Sequence, residues 1–583
     1  MPPRKHAAAL QYLCSRKLST NLIDFLLEIE KEAVKIQKQQ QMTGADPNIF
    51  THRILKLQQD YLGLVEFMSS IPGVLLEKIN ETCLEIYKER YDLIDKGLSV
   101  WVLTKGVGAQ EVYEAMMPTN TFYFDLTPAK KDEINIPILT SVLTIMIQPK
   151  LVSLNFKKLS LLSSVSENVF SEFRTFLTSA ISQLQNLRSL TLCSHNSSNS
   201  LPQCSNEHLE LLGKHCPELL FLDVSFNKNI TGEGLRSIAP NPEKDLTGCA
   251  KLQKLYIFDC GIFEKEVAKV IYSFPDLTYL GYKETGKVLK TIHKGIESGQ
   301  DKFQELKLTH VDNLGSKTRR LIASALRCKK PVALAISVLC PEVHNLKLRV
   351  CDDDVANLCS LAKLETIEFI YHVGSIGSPG PHTQTFLRLR GVQLTSVALI
   401  CNTMSMAMLV TIAENCPNLR QLWSRSNHLM APYEDDTLQK NHKYLTNLRV
   451  LYLRVGEGEL SVTSIPEYVL PYLLRNAKEL TELLIAIRSN LINDYFVQAL
   501  VTDCELFSLE KVMIVVPGLN SLPGILKLKV NTVHALMHLC PNLTKIGNLL
   551  SWDVDKEDVL ELEQMVVEMN YDLELVNKKM TMR

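Results

Sequence analysis

Leu219-Leu220-Phe221-Leu222-Asp223-Val224-Ser225-Phe226-Asn227 is the stretch that decides the fold. Apolar residues at Leu219, Leu222 and Val224 and an amide at Asn227 fit the frame L-x-x-L-x-L-x-x-N/C. Leu222 and Val224 alternate as in a strand, so both side chains point to one side of the chain. The same frame holds Leu252, Leu255, Ile257 with Cys260; Val343, Leu346, Leu348 with Cys351; and Leu394, Val397, Leu399 with Asn402. Without its closing residue it also opens at Leu151, Leu187, Leu277, Phe303, Leu364, Leu419, Leu448, Leu480, Leu509 and Leu543. Successive openings are 21 to 40 residues apart, enough for one strand, a turn and a returning helix. A single coil of this kind cannot bury its apolar face, but stacked coils bury a continuous core.

The spacing predicts returning helices at Glu207 to His215, Leu235 to Ala239, Met408 to Asn415, Tyr468 to Asn476 and Asn531 to Leu539. Several close on a shared stop signal: His215-Cys216-Pro217, Leu339-Cys340-Pro341, Asn415-Cys416-Pro417 and Leu539-Cys540-Pro541. Proline lacks the N–H that would continue the helix. At the turn after the strand, the frame's closing Asn can bond backbone groups of adjacent coils, and a Cys thiol can fill the same narrow slot. Stretches Gly374 to His382 and Ser424 to Asn441 read as loops that interrupt the period.

A chain of 583 residues is about four times the usual single-domain size, which fits an extended array. Apolar residues make up 46% and charged residues 22%, an ordinary globular composition. Lys and Arg total 63 against 64 Asp and Glu, so the net charge of -1 offers no general attraction to nucleic acid or anionic lipid. The 15 cysteines include no C-x-x-C pair, which points to reduced thiols rather than a disulfide framework or zinc ribbon. The apolar run Ile136 to Ile147 is too short to span a bilayer. The run Ala7 to Leu10 is cut short by Ser15-Arg16-Lys17, unlike a signal peptide. These features predict a cytoplasmic or nuclear protein with no membrane partner.

Taken together, the copy from Leu219 through Gly234-Leu235 to Ala239 and the recurring C-P-x-L-x-x-L resemble the cysteine-containing leucine-rich repeats of ubiquitin-ligase substrate receptors. The expected fold is therefore α/β, a leucine-rich-repeat solenoid over 151–552 with a parallel sheet and outer helices. A helical cap is expected over 553–583, a transition over 101–150, and an α-helical adaptor-binding region over 1–100. In that first region Leu10, Leu13, Cys14, Leu18, Leu22 and Phe25 recur at helical spacing.

Ala9-Leu10, Cys14 and Leu18 resemble the elongin-binding box of von Hippel-Lindau-box receptors, and Ile71-Pro72, Leu75 and Ile79 resemble the cullin-2 box that follows it. The resemblance implies that Leu10, Cys14 and Leu18 dock on elongin B/C, with Ile71, Pro72 and Leu75 against cullin-2, as a helix in a groove. An F-box reading of Ile71-Pro72, Leu75, Leu76 and Trp101 would instead imply Skp1 and cullin-1. A plain amphipathic helix capping the repeats fits the same residues.

No catalytic motif emerges. Gly281-x-x-x-x-Gly286-Lys287 is one residue short of a phosphate-binding loop, because Val288 replaces the magnesium-binding hydroxyl. His534, His538 and Cys540 occupy a place that other coils fill with ordinary repeat residues. No cofactor and no metal is expected, and the chain reads as a non-catalytic receptor or, alternatively, an interaction scaffold with no ligase role. Strand alternation puts Lys254, Tyr256, Phe258, Glu305, Lys307, Lys347, Arg349, Trp423, Arg425, Tyr452 and Arg454 on the face opposite the leucines. Of these, Lys307, Lys347, Arg349, Trp423, Arg425, Tyr452 and Arg454 are the expected substrate-binding residues. Their mix of cations and aromatics suits an acidic or phosphorylated protein target and not nucleic acid.

Overall fold

The computed structural model describes residues 174–193 (apart from 176), 204–240, 247–300, 302–312, 331–371, 377–430, 445–456, 469–487, 492–516 and 526–577. Lys17, Asn21 and two short strands at 123–125 and 153–155 complete the described residues. The boxes holding Leu10, Cys14, Leu18, Ile71, Pro72 and Leu75 lie outside them. The chain divides into two units, Ala7–Leu277 and Thr278–Arg583.

The first unit carries β1 (Tyr123–Asp125), β2 (Ser153–Asn155), β3 (Ser189–Thr191), β4 (Phe221–Asp223) and β5 (Lys254–Tyr256), parallel and in chain order. Between and after these strands lie helices α1 (Asn206–His215), α2 (Gly232–Ile238) and α3 (Glu264–Val270). Leu154, Leu190, Leu222 and Leu255 stand in register and are buried. Each such leucine contributes about 2 kcal/mol by leaving water.

The second unit repeats the plan from β6 (Tyr279–Gly281) and β7 (His310–Asp312) through β8 (Asn345–Val350), β9 (Thr366–Tyr371), β10 (Ser396–Ser405) and β11 (Gln421–Met430). It continues with β12 (Val450–Val455), β13 (Glu482–Ile487), β14 (Lys511–Val515), β15 (Lys545–Gly547) and β16 (Glu574–Val576). All these pairings are parallel, and the register row Leu346, Ile367, Val397, Leu422, Leu451, Leu483 and Val512 forms the core. The helices are α4 (Thr285–Glu297), α5 (Pro331–Leu339), α6 (Asp352–Val355), α7 (Pro381–Arg390), α8 (Met406–Asn415), α9 (Val469–Leu474), α10 (Asp494–Asp503), α11 (Val530–Leu539) and α12 (Lys556–Glu568). Helix-strand alternation thus runs past Trp552 through α12 to β16. The molecule is an α/β leucine-rich-repeat solenoid.

Every frame opening but one lies two residues before a strand. Phe303 is the exception: it is 53% exposed, whereas β7 begins at His310 and aligns with Asn345. Leu308 and Val311, both buried, form the true frame there. Two further corrections concern length. Ser424 to Met430 belong to β11 rather than to a loop, and Pro381 and His382 already begin α7.

The turn slot behaves as expected in the first unit only. Asn227 is fully buried; its Nδ2 donates to the carbonyls of Leu192 (2.8 Å) and Val224 (2.8 Å), and its Oδ1 accepts from the Cys204 N–H (3.0 Å). One coil later Cys260 Sγ donates to Val224 O at 3.3 Å, the thiol substituting for the amide. In the second unit, alternation continues to Val350 in β8 and past Cys401 in β10, so Cys351 and Asn402 miss the core. Asn402 Oδ1 instead accepts from Asn427 Nδ2 at 2.9 Å on the next strand.

Cysteines at the helix ends tie coils together. Cys216, Cys416 and Cys540 cap α1, α8 and α11, each N–H bonding the carbonyl four residues back. The buried Cys216 Sγ also donates to Leu184 O (3.4 Å) and Cys540 Sγ to Leu506 O (3.6 Å), both in the preceding coil. Burial pushes the thiols of Cys216, Cys416 and Cys540 up to about 12, so they stay protonated and unreactive.

A second tie was not legible in the sequence. The first residue of one helix holds the start of the next coil's helix: Asn206 accepts from Thr231 N (2.9 Å) and donates to Thr231 Oγ1 (2.9 Å). Asp494 does the same for Lys529 N (2.8 Å) and the Thr532 hydroxyl. Asp352 is the fullest case, accepting from Gly380 N (2.7 Å), His382 N (2.9 Å), Thr383 N (3.0 Å) and Thr383 Oγ1 (2.6 Å). Burial opposes its ionisation, but these bonds outweigh burial and hold the carboxyl below its ordinary value.

Candidate functional site

The candidate site is the outward side of β8 to β12, where strands of six to ten residues expose alternate side chains. Parallel register sorts these residues into rows that cross the strands. One row runs Lys347, Glu368, Ala398, Trp423 and Tyr452; the next, two residues further along each strand, runs Arg349, Ile370, Ile400, Arg425 and Arg454. The structure therefore brings six of the seven expected substrate-binding residues onto one continuous face.

Lys307 is not among them. It is exposed on the segment leading into β7, because the frame that placed it on a strand was opened five residues early, at Phe303 instead of Leu308. On the first unit's outward side, Tyr256 packs between Phe221 (5.3 Å between ring centres) and Phe258 (6.4 Å), a small aromatic cluster beside Lys254.

In the first row, Trp423 and Tyr452 stack with ring centres 4.8 Å apart and planes 21° from parallel. Trp423 shields Tyr452: the tryptophan is 42% exposed and the tyrosine 9%. The register partner of Trp423 on β10 is the small Ala398. A large exposed aromatic of this kind supplies contact area to a partner at little entropic cost. At the far end of the row, Lys347 Nζ lies 3.0 Å from Glu368 Oε2, so its charge is already matched.

Next to this face, where the chain enters β8 to β12, a groove of about 720 Å³ is lined by His344, Glu365, Thr395, Asn418, Arg420 and Asn447 among others. Its polar groups are largely engaged with the fold. Asn418 Nδ2 donates to Val392 O (2.8 Å), Asn447 Nδ2 to Pro417 O (3.0 Å), and His344 Nδ1 lies 3.1 Å from Glu365 Oε1.

The motifs that could have meant catalysis are absorbed by the repeat. In Gly281 to Val288, Val288 is buried in α4, the Thr285 hydroxyl donates to Tyr282 O (2.9 Å), and Lys287 pairs with Glu284 (2.6 Å). His534 and His538 are exposed while Cys540 is buried, so the three do not converge. Among the described residues no group of three or more His, Cys, Asp or Glu could hold a metal, and no helix is long and apolar enough to cross a membrane.

No protein-family model and no curated protein matches the chain. Solved structures do match at low identity. An internalin from Listeria monocytogenes is 13% identical, with 70% of this chain and 94% of that chain covered and a TM-score of 0.37. A leucine-rich-repeat protein of Leptospira interrogans is 14% identical, with 82% and 98% covered and a TM-score of 0.30. The yeast complex of Rad7 and Elc1 is 15% identical, with 72% and 86% covered and a TM-score of 0.35. Likeness of this depth does not extend to partners, and the fold rests on the strand register described above.

Proposed function

We propose that this chain is a non-catalytic protein-binding receptor whose β8 to β12 face holds a target protein. The observation that carries this reading is the stacked, part-exposed Trp423–Tyr452 pair with Arg425 and Arg454 in the adjoining row. Solenoids present such faces as extended interaction surfaces. The target chemistry that suits them is an acidic or phosphorylated segment with apolar neighbours.

The finer reading is that the receptor serves a cullin-RING ubiquitin ligase, docked through Leu10, Cys14 and Leu18 to elongin B/C and through Ile71, Pro72 and Leu75 to cullin-2. Support for it is the pairing of the two boxes ahead of the repeats. The free thiols of the described cysteines agree with a cytoplasmic or nuclear setting. Burying Leu10 in an elongin pocket is worth about 2 kcal/mol, or more than tenfold in affinity.

The test is co-purification of the full chain expressed with elongins B and C and cullin-2. Leu10→Ala with Cys14→Ala should abolish elongin recovery, and Ile71→Ala with Pro72→Ala should spare elongin but lower cullin-2. Unchanged elongin recovery from a folded double variant contradicts the ligase reading, and recovery of Skp1 instead assigns the F-box alternative.

A further inference from the structure

The last helix of the solenoid, α12, carries an apolar stripe that nothing in its own chain covers. Val559, Leu562 and Val566 turn inward and are buried, yet Leu560 is 63% exposed and Val567 77%. Seven residues make nearly two turns, so Leu560 and Val567 share one side of the helix, with Gln564 between them. At 3.6 residues per turn, Glu563 flanks this stripe on one side and Glu557, Glu561 and Glu568 flank it on the other. The helices α1 and α11 show water polar groups instead, Glu210 and Lys214 on the first and Asn531, His534 and His538 on the second. Because β16 ends the sheet, no further coil of the described chain follows to hide the stripe.

The carboxylates along it have no counter-charge. Elsewhere in the solenoid an exposed glutamate pairs with a lysine of a neighbouring coil: Glu218 with Lys251 (2.6 Å), Glu342 with Lys363 (2.5 Å), Glu482 with Lys511 (2.5 Å) and Glu574 with Lys545 (2.8 Å). Among the described residues Glu557, Glu561, Glu563 and Glu568 take part in no ion pair, and Glu568 only accepts from Gln564 Nε2 at 2.7 Å. Lys556, at the start of α12, is its one cation. An apolar stripe between unpaired carboxylates fits a segment that is both basic and apolar.

The chain itself contains such a segment. Residues 317–330, Lys-Thr-Arg-Arg-Leu-Ile-Ala-Ser-Ala-Leu-Arg-Cys-Lys-Lys, hold six cations and no carboxylate, with Leu321, Ile322 and Leu326 among them. They lie outside the described residues, between Asp312 at the end of β7 and Pro331 at the start of α5. These two anchors limit their reach. Residues 313–330 span at most about 60 Å fully extended, so a path out and back reaches no further than about 30 Å. From β7 to β16 there are nine strand spacings, about 43 Å along the sheet. The segment therefore falls short of α12 in its own chain.

We infer that residues 317–330 of a second copy dock on α12, their apolar side chains against Leu560 and Val567 and their cations against the flanking glutamates. Each copy has one segment and one α12, so two copies exchange both contacts reciprocally and close a dimer. The contact lies apart from the proposed receptor face and does not depend on it.

The test is the mass of the full chain in solution, measured by light scattering over about a hundredfold range of concentration, because self-association follows mass action. The docking predicts a mass that rises from one chain towards two and falls back as added salt screens the charges. Leu560→Ser with Val567→Ser, Glu561→Lys with Glu563→Lys, and Arg319→Glu with Arg320→Glu should each weaken association by about tenfold or more. Combining the two charge swaps in one chain should restore association to within about threefold, because each swapped segment then meets a swapped helix. A synthetic peptide of residues 316–330 should compete with association of the native chain. Trp423→Ala should leave association unchanged, which keeps this contact distinct from the receptor face.

A mass of one chain at every concentration overturns the inference. So does association that the folded serine variant retains, or a combined swap that fails to recover what the separate swaps lose. Thermal melting followed by circular dichroism separates lost docking from lost folding, since the substituted positions on α12 are exposed and should leave the melt unchanged.

Discussion

The two units use one repeat frame in different ways. In the first, strands are three residues long and the chain bends at once, sinking Asn227 and Cys260 into the core. In the second, β8 to β12 run for six to ten residues, and the corresponding residues Cys351 and Asn402 fall outside it. A short strand offers a partner little outward surface; a long one adds a further residue or more per coil. The period thus decides the fold, while strand length decides which coils have a face to bind with.

The largest effect should come from breaking the buried turn. Asn227→Ala strands the Cys204 N–H and the Leu192 carbonyl in the core and leaves Val224 O with the weaker Cys260 thiol bond, at a cost of about 3 kcal/mol. Asn402→Ala, at the same motif place in the second unit, loses one partly exposed bond, and under about 1 kcal/mol is expected. Urea unfolding curves of the two variants measure the contrast. Equal losses would mean that the two turns are built alike.

Next in size is the inter-coil tie at Asp352. Asp352→Ala removes four bonds to a charged acceptor and should cost about 2 kcal/mol. Asp353→Ala beside it, on an exposed side chain, should change stability by less than about 0.5 kcal/mol. Because the folded carboxyl of Asp352 is held below its ordinary value, its contribution is complete above the unfolded value of about 4. It is lost as pH falls through the folded value. Stability measured against pH should therefore drop more steeply in acid for the native chain than for Asp352→Ala.

A smaller contrast concerns thiol reactivity. Iodoacetamide at mildly alkaline pH should alkylate the exposed Cys351 while sparing Cys216, Cys416 and Cys540, whose burial pushes them up to about 12. Site-resolved mass spectrometry before and after unfolding gives the order. Rapid labelling of Cys216 or Cys540 in the folded chain would show that their coil-to-coil thiol bonds open readily.

The core was legible in the sequence because burial repeats wherever the frame repeats, and every frame opening except Phe303 stands two residues before a strand, whereas β1 and β16 carry no such frame. Phe303, Leu306 and Leu308 match the frame locally, but pairing of His310 with Asn345 decides in favour of Leu308. Such a choice depends on a neighbouring coil, which spacing alone cannot supply. The same limit hid the Asp352 tie, where a residue that looks like an ordinary helix start serves a helix some thirty positions away. On the candidate face, alternation picked out Arg425 and Arg454 one by one. That they are direct register partners emerges only from strand pairing across coils of unequal length.

The most direct test of the central claim, that the long-strand face of the second unit holds the target, is a photocrosslinking comparison. p-Benzoylphenylalanine would replace Trp423 on that face, Tyr256 on the short strands of the first unit, or Leu389 on the exposed side of α7. The account predicts a target-protein adduct from position 423 that Arg425→Gln with Arg454→Gln suppresses, and none from 256 or 389. An adduct from 256 or 389 with none from 423 would contradict it.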